Sequence, residues 1–268
     1  MTEDITKFYN EQPNKEWSRL DDPYNSFELV ATLKVIDTYF ENKGRVCDIG
    51  SGPGRYAIEL LQRGHDVTLV DFSVELLETA KVEVEKRRLA EGANFICSDA
   101  RKLERVESNT YDYVMLMGPM YHLHELDERQ KALREAKRVL KPGGLAIVAY
   151  LNSWGIIRYG LERFSKLYKD DAFLRSFIGD VSIDWQFQNF TEWFSTTPPM
   201  MIKELESVGF EVVHQVGCEA FASGMKPAIR RIAEEHPEAY QNILKFIPEA
   251  AAMPQYRDVA EHVHFLVS

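Results

Sequence analysis

Cysteine is scarce. Cys47, Cys97 and Cys218 stand far apart in 268 residues, and no Cys-x-x-Cys pair occurs. That spacing excludes a disulfide framework or a zinc ribbon, so no metal is expected. No apolar run approaches the roughly 18 residues of a membrane span. The opening Met-Thr-Glu-Asp-Ile-Thr-Lys is polar and has no signal-type apolar core. The chain therefore reads as soluble and cytoplasmic, with no membrane partner. No Gly-Lys-Ser/Thr occurs, which excludes a P-loop. Positive charge is also short: 32 Lys and Arg face 42 Asp and Glu, a formal charge of −10. An acidic chain suits polyphosphate backbones poorly, so no nucleic-acid partner is expected. The one tight basic cluster, Lys86-Arg87-Arg88, lies among Glu83, Glu85 and Glu91 and reads as a solvated helix face. Internal repeats and low-complexity linkers are missing as well.

What is present is alternation. Hydrophobic residues make up 45% of the chain, enough for a full core. The pattern predicts a helix over 26–40 with Leu29, Val30, Leu33, Ile36 and Phe40 on its inner face. Strands at 45–49, 66–70, 93–97, 111–117 and 145–150 then alternate with helices at 55–63, 74–88 and 127–140. Ser73 is placed to cap the second of these helices, and Asp127 with Gln130 resembles a capping box on the third. Lys141-Pro142-Gly143-Gly144 is expected to break the chain before the fifth strand. Cys47 and Cys97 fall in apolar strands and are expected to be buried thiols. Such alternation means a parallel sheet with right-handed crossovers and its ligand at the carboxyl ends of the strands.

The rhythm fails at 151–197, where eleven aromatics lie between Trp154 and Phe194. This stretch reads as an inserted helical cap. A helix at 199–208, a strand at 210–215, a second helical insert at 226–252 and a last strand at 262–267 complete the chain. The first 22 residues carry Phe8, Tyr9, Trp17 and Leu20, too apolar for a tail, and should dock on the rest. The expectation is one α/β domain with a doubly wound, mostly parallel seven-stranded sheet. Residues 1–43 form a helical cover, 44–150 a ligand-binding core, 151–197 the cap, and 198–268 the remainder of the sheet.

The motif with chemical content is Val46-Cys47-Asp48-Ile49-Gly50-Ser51-Gly52-Pro53-Gly54, with Asp71 ending the next apolar run. A glycine turn after a strand and a carboxylate about twenty residues on make a nucleotide site. The glycines read Gly-x-Gly-x-Gly, the third arriving one residue early for a dinucleotide fold. Four later segments follow in order: Val70-Asp71-Phe72, Ser98-Asp99-Ala100, Leu116-Met117-Gly118-Pro119-Met120-Tyr121-His122, and Arg138-Val139-Leu140-Lys141-Pro142-Gly143-Gly144. Together they resemble the core of a class I S-adenosylmethionine-dependent methyltransferase, over residues 45–150.

The resemblance implies S-adenosylmethionine as cofactor. It places Asp48 at the ligand ammonium and Gly50, Gly52 and Gly54 where backbone approaches the ligand. Asp71 can accept from both ribose hydroxyls, Phe72 can stack on adenine, and Asp99 with Ala100 can meet the adenine edge. Either carboxylate alone could simply cap a strand end. Methyl transfer needs an aligned acceptor and, at times, a base, so a conspicuous catalytic set is not required. Met117, Tyr121 and His122 leave the fourth strand in the slot nearest the methyl. His122 could act as a base near neutral pH or pack structurally; His124 reads as a surface residue. Tyr9 could point at the sulfonium region and Arg19 at the ligand carboxylate; aromatic packing of an N-terminal helix explains them equally. Gly118-Pro119-Met120-Tyr121 replaces the Asn/Asp-Pro-Pro-aromatic of adenine and amide methylators, which favours a small-molecule acceptor. Trp185, Phe187, Phe190, Trp193 and Phe194 could line that acceptor's pocket, and Tyr150 and Asn152 could reach it. The expected function is methyl transfer to an oxygen, nitrogen or sulfur of a small molecule. Methylation of RNA or protein and a non-catalytic cofactor-binding module are the alternatives.

Overall fold

A computed structural model describes residues 3–175, 177, 182–185 and 193–268. The chain opens with α1 (Glu3–Glu11), α2 (Pro13–Ser18) and α3 (Ser26–Tyr39). The central run is β1 (Arg45–Ile49), α4 (Arg55–Gln62), β2 (Asp66–Asp71), α5 (Val74–Lys86), β3 (Ala93–Cys97), β4 (Tyr111–Leu116), α6 (Leu126–Val139) and β5 (Leu140–Leu151). Next come α7 (Ser153–Arg163), α8 (Asp171–Arg175) and a small antiparallel pair, β6 (Ser182–Trp185) and β7 (Trp193–Thr196). The remainder is α9 (Pro198–Ser207), β8 (Val212–Gly217), α10 (Lys226–Glu235), α11 (Pro237–Ala250), α12 (Pro254–Arg257) and β9 (His262–Val267).

Seven strands form one sheet in the order β3-β2-β1-β4-β5-β9-β8. Strands β1 to β5 pair in parallel, and β9 runs antiparallel to both β5 and β8. Chain order reverses between β1 and β4, which opens a crevice at their carboxyl ends. Each central strand is buried on both faces, as parallel strands between helices must be. Val46 faces one apolar cluster with α3, α4 and α5, while Cys47 and Ile49 face a second with α6 and α9.

Several local expectations change under tertiary contact. Helix α3 buries Phe27, Glu28, Ala31, Thr32, Val35 and Ile36, so its inner line is rotated from the one expected; Leu29, Val30 and Leu33 are only partly covered. A buried Glu and Thr masked the true stripe. Ser73 does cap α5, accepting from the Leu76 N–H at 3.1 Å. No capping box forms on α6, because the helix starts at Leu126 and the Gln130 amide donates to Ser207 instead. Lys141-Pro142-Gly143-Gly144 does not precede β5 but bulges within it, with Gly143 at φ +78°. The 151–197 segment is not all helical, since it contains the β6–β7 hairpin. Cys97 is exposed, because β3 is the sheet edge. Tyr150 is buried against Phe265. Asn152 caps α7 and donates to the carbonyls of Asp258 and Ala260, so fold contacts occupy its side chain. Glycine is needed at 155, where a Cβ would lie 2.2 Å from the Ala260 carbonyl.

Among the described residues no helix is long and apolar enough to cross a membrane, and no cluster of His, Cys, Asp and Glu could hold a metal ion.

Candidate active site

The crevice at the ends of β1, β2 and β4 encloses about 720 Å³, part of it open to solvent. Its floor is the glycine turn. Gly50 and Ser51 donate their N–H groups to the Val70 carbonyl at 2.8 and 3.1 Å, tying the turn to β2. Gly50 has φ +76°, and a Cβ there would lie 2.5 Å from Pro119 Cδ. Glycine is therefore required by backbone conformation and by the close approach of the β4 turn. A Cβ at Gly52 would meet nothing within 4 Å. Gly54 does not line the crevice; at φ +85° it lets α4 start against Leu69 and Ala80. Its job is packing of helix on sheet.

Two carboxylates stand at the floor. Asp48 is 1% exposed, and among the described residues neither of its oxygens has a hydrogen-bond partner. Burial, with Asp71 nearby, pushes its carboxyl up to about 7. A buried carboxylate with no partner suits a cationic group such as an ammonium. Asp71 accepts from the Gly52 N–H at 2.8 Å and the Ser73 N–H at 2.9 Å. Burial raises it to about 6, against the pull of those N–H groups. Two N–H partners leave acceptor capacity on its oxygens, which suits a diol. The donor set thus fits an amino acid joined to a ribose.

The N-terminal helices form the roof. Tyr9 on α1 places its hydroxyl 2.8 Å from His122 Nε2, and its ring meets Phe72 edge-on at 6.2 Å. Ser73 Oγ donates to Asn10 at 2.7 Å, fastening α1 over the end of β2. Trp17 lies under two guanidinium groups, Arg55 at 4.9 Å and Arg87 at 5.3 Å from its ring centre. So part of the basic cluster secures the cover while Lys86 and Arg87 also pair with Glu83. Arg19 reaches the crevice already held by Glu16 at 2.7 Å and Glu28 at 2.7 Å. Burial opposes a charge on Glu28, but Arg19 and then His262 outweigh it and hold that carboxyl well below the usual range.

The side toward β5 is lined by Met117, Gly118, Pro119, Tyr121 and His122. Burial lifts the Tyr9 phenol well above its ordinary value, with Glu16 and Tyr121 adding to it, and burial does the same for Tyr121. Both stay protonated at neutral pH. His124 is half-buried rather than on the surface.

The fold thus brings Tyr9, Arg19, Asp48, Gly50, Gly52, Asp71, Phe72, Met117, Tyr121 and His122 to one crevice. Asp99 and Ala100 do not line it. They follow Cys97, the pairing partner of Asp71, and Asp99 is engaged by Arg101, which also pairs with Glu128. Sequence reasoning missed Glu16, Ser51, Pro53, Arg55, Tyr56 and Leu76 as lining residues. Four of these sit in or just after the glycine motif, where position alone could have flagged them. Of the cap aromatics, Trp193 and Phe194 are buried in protein contacts, Trp185 pairs with Trp193 across the hairpin, and Phe187 and Phe190 lie outside the described residues.

Residues 46–144 match the family described as "Methyltransferase domain". The chain is 21% identical over 231 residues to the tRNA 5-carboxymethoxyuridine methyltransferase of Escherichia coli K12, covering 86% of this chain and 82% of that one. It is 29% identical over 195 residues to a ubiquinone/menaquinone biosynthesis C-methyltransferase from Ruegeria, covering 68% and 74%. Its fold is similar to the crystal structure of Burkholderia thailandensis 1,6-didemethyltoxoflavin-N1-methyltransferase with bound 1,6-didemethyltoxoflavin and S-adenosylhomocysteine, at TM-score 0.61 and 14% identity, over 98% of this chain and 86% of that one. The sheet order, the glycine turn and these matches converge: residues 46–144 carry a methyltransferase domain, on the fold seen in class I S-adenosylmethionine-dependent methyltransferases.

Proposed function

We propose that this methyltransferase modifies an oxygen, nitrogen or sulfur atom of a small-molecule acceptor. The observation that carries the reading is the roofed crevice, closed by α1 through the Tyr9–His122 and Asn10–Ser73 contacts. Residues 44–150 act as the cofactor core, 1–43 as its cover, 151–197 as the acceptor-side cap, and 198–268 complete the sheet. S-adenosylmethionine supplies a methyl group activated by sulfonium, whose departure needs no acid. Asp48 faces the ammonium, Arg19 offers its remaining N–H groups to the carboxylate, and Asp71 accepts from the ribose hydroxyls. Phe72, beside Asp71, would cover the adenine. Met117, Tyr121 and the roof exclude water and align the acceptor. Proton handling falls to Tyr9 and His122. The buried phenol keeps its proton and can donate it to the imidazole Nε2 in the tautomer protonated at Nδ1. An acceptor proton can pass to the Tyr9 oxygen as the phenolic proton passes to His122.

The Escherichia coli relative supports a second reading, a modified uridine in tRNA, since the likeness spans most of both chains. The charge of −10 weighs against it. Transfer of label from methyl-labelled S-adenosylmethionine decides between them, with a demethylated quinol, glycine and tRNA carrying 5-carboxymethoxyuridine as acceptors. Label entering a small molecule is the expected result; label confined to tRNA would overturn the proposal.

The assignment of Asp48 has its own signature. In the folded chain its carboxyl titrates near 7, against 3.8 for an ordinary aspartate. The folded state therefore holds the proton more tightly, and this group's contribution to stability falls as pH rises between those values. A cation beside it favours ionisation. Binding of S-adenosylmethionine near pH 6 should release about one proton, and affinity should rise with pH up to about 7. Calorimetry in buffers of different ionisation heat measures the proton. Release that persists unchanged in Asp48→Asn would remove Asp48 from the ammonium.

A further inference from the structure

Arg129 lies in the first turns of α6 with a side chain only 5% exposed, and it does not line the crevice. A guanidinium so buried must spend its donors well. Its Nε sits 3.1 Å from both carboxylate oxygens of Glu204 on α9, itself 6% exposed. Its Nη1 donates to the carbonyls of Leu123 at 2.9 Å and His124 at 2.6 Å. The guanidinium carbon lies 3.7 Å from the ring centre of Phe194 on β7. One side chain thus joins α6, α9, the cap hairpin and the two peptides directly after His122.

Met120 and Leu123 anchor that segment in the core under α6, and its backbone is held locally by one short turn. Residues Pro119–Tyr121 form a single 3₁₀ turn, closed by the His122 and Leu123 N–H groups on the Pro119 carbonyl at 3.0 and 3.1 Å. Turns this short are marginal without tertiary support. The planar fork of Arg129 can serve two carbonyls and a carboxylate at once while its face stacks on Phe194, which a lysine cannot do. We propose that Arg129 is a positioning residue for His122. It fixes the Leu123 and His124 carbonyls and so sets the imidazole against Tyr9, while Glu204 holds the guanidinium and Phe194 makes this seat sensitive to the cap. The inference rests on the assignment of His122 to the acceptor side of the crevice.

The test reads the imidazole directly in protein labelled with ¹⁵N-histidine, the His122 resonances being assigned by their loss in His122→Asn. Tyr9→Phe gives the reference for a broken Tyr9–His122 bond. Arg129→Met/Glu204→Met replaces the buried pair with apolar side chains, an exchange that folds tolerate. Arg129→Lys keeps the charge opposite Glu204 and loses the fork. Both variants should move the His122 resonances toward those of Tyr9→Phe, while affinity for S-adenosylhomocysteine stays within about threefold of the parent. Unchanged resonances in either folded variant would overturn the proposal, and so would restoration by lysine, which would leave Arg129 a structural ion pair only. Should the double variant fail to fold, Arg129→Lys decides alone. Resonances that move while His122→Asn retains full turnover would uphold the positioning and remove the proton-handling role, so the two failures are distinguishable.

Discussion

His122→Asn should lower kcat by about 10²–10⁴-fold, the usual worth of a positioned acid–base group, and leave S-adenosylhomocysteine affinity nearly unchanged. The asymmetry follows from where the residue sits. His122 is on the β4 exit turn and bonded to the roof through Tyr9, whereas the two floor carboxylates lie at the ends of β1 and β2. Asparagine retains a polar side chain of modest size but cannot take up a proton near neutral pH. Tyr9→Phe should show the same sign with a smaller loss, since it removes the relay and leaves the imidazole. Steady-state rates with the acceptor found by the label screen, alongside calorimetry with S-adenosylhomocysteine, separate kcat from binding. A His122→Asn protein with parental kcat would show that alignment alone drives transfer here.

The second large effect belongs to cofactor binding. Asp71→Ala should weaken S-adenosylhomocysteine binding by about 10²–10⁴-fold, because two charge-assisted hydrogen bonds to a diol contribute about 1.5–3 kcal/mol each and every 1.4 kcal/mol is tenfold. The substitution also leaves the Gly52 and Ser73 N–H groups without their acceptor, loosening the glycine turn. Asp71→Asn keeps one acceptor oxygen and should fall between alanine and the parent. Isothermal calorimetry measures all three, with circular dichroism confirming the fold. Equal affinities for the alanine variant and the parent would move the ribose away from Asp71.

Much of this arrangement is visible along the chain because it is local. Strand and helix periods, the glycine turn and a carboxylate at the end of β2 are set by neighbours within a few residues, so position in the motif predicts position in the crevice. The inner face of α3 escaped for a physical reason. Its buried line contains Glu28 and Thr32, which are met from outside the helix by Arg19 and His264. Gly54 and Asp99 show the same limit. The motif places both near a ligand, while Leu69, Ala80 and Arg101 decide what each actually touches.

By itself, then, the sequence determined a mostly parallel sheet of seven strands, the site at its carboxyl edge, and a sulfonium cofactor rather than a dinucleotide. Hydrophobic period and the glycine turn suffice for the sheet and its ligand edge, while the cofactor is what the resemblance of the ordered motifs to the methyltransferase family implies. Only the tertiary structure decided that Tyr9 meets His122 across 113 residues, that Asp48 is buried with no hydrogen-bond partner among the described residues, and that Arg129 is seated between Glu204 and Phe194. Desolvation and the pairing of buried charges are properties of the assembled interior, and no local pattern encodes them.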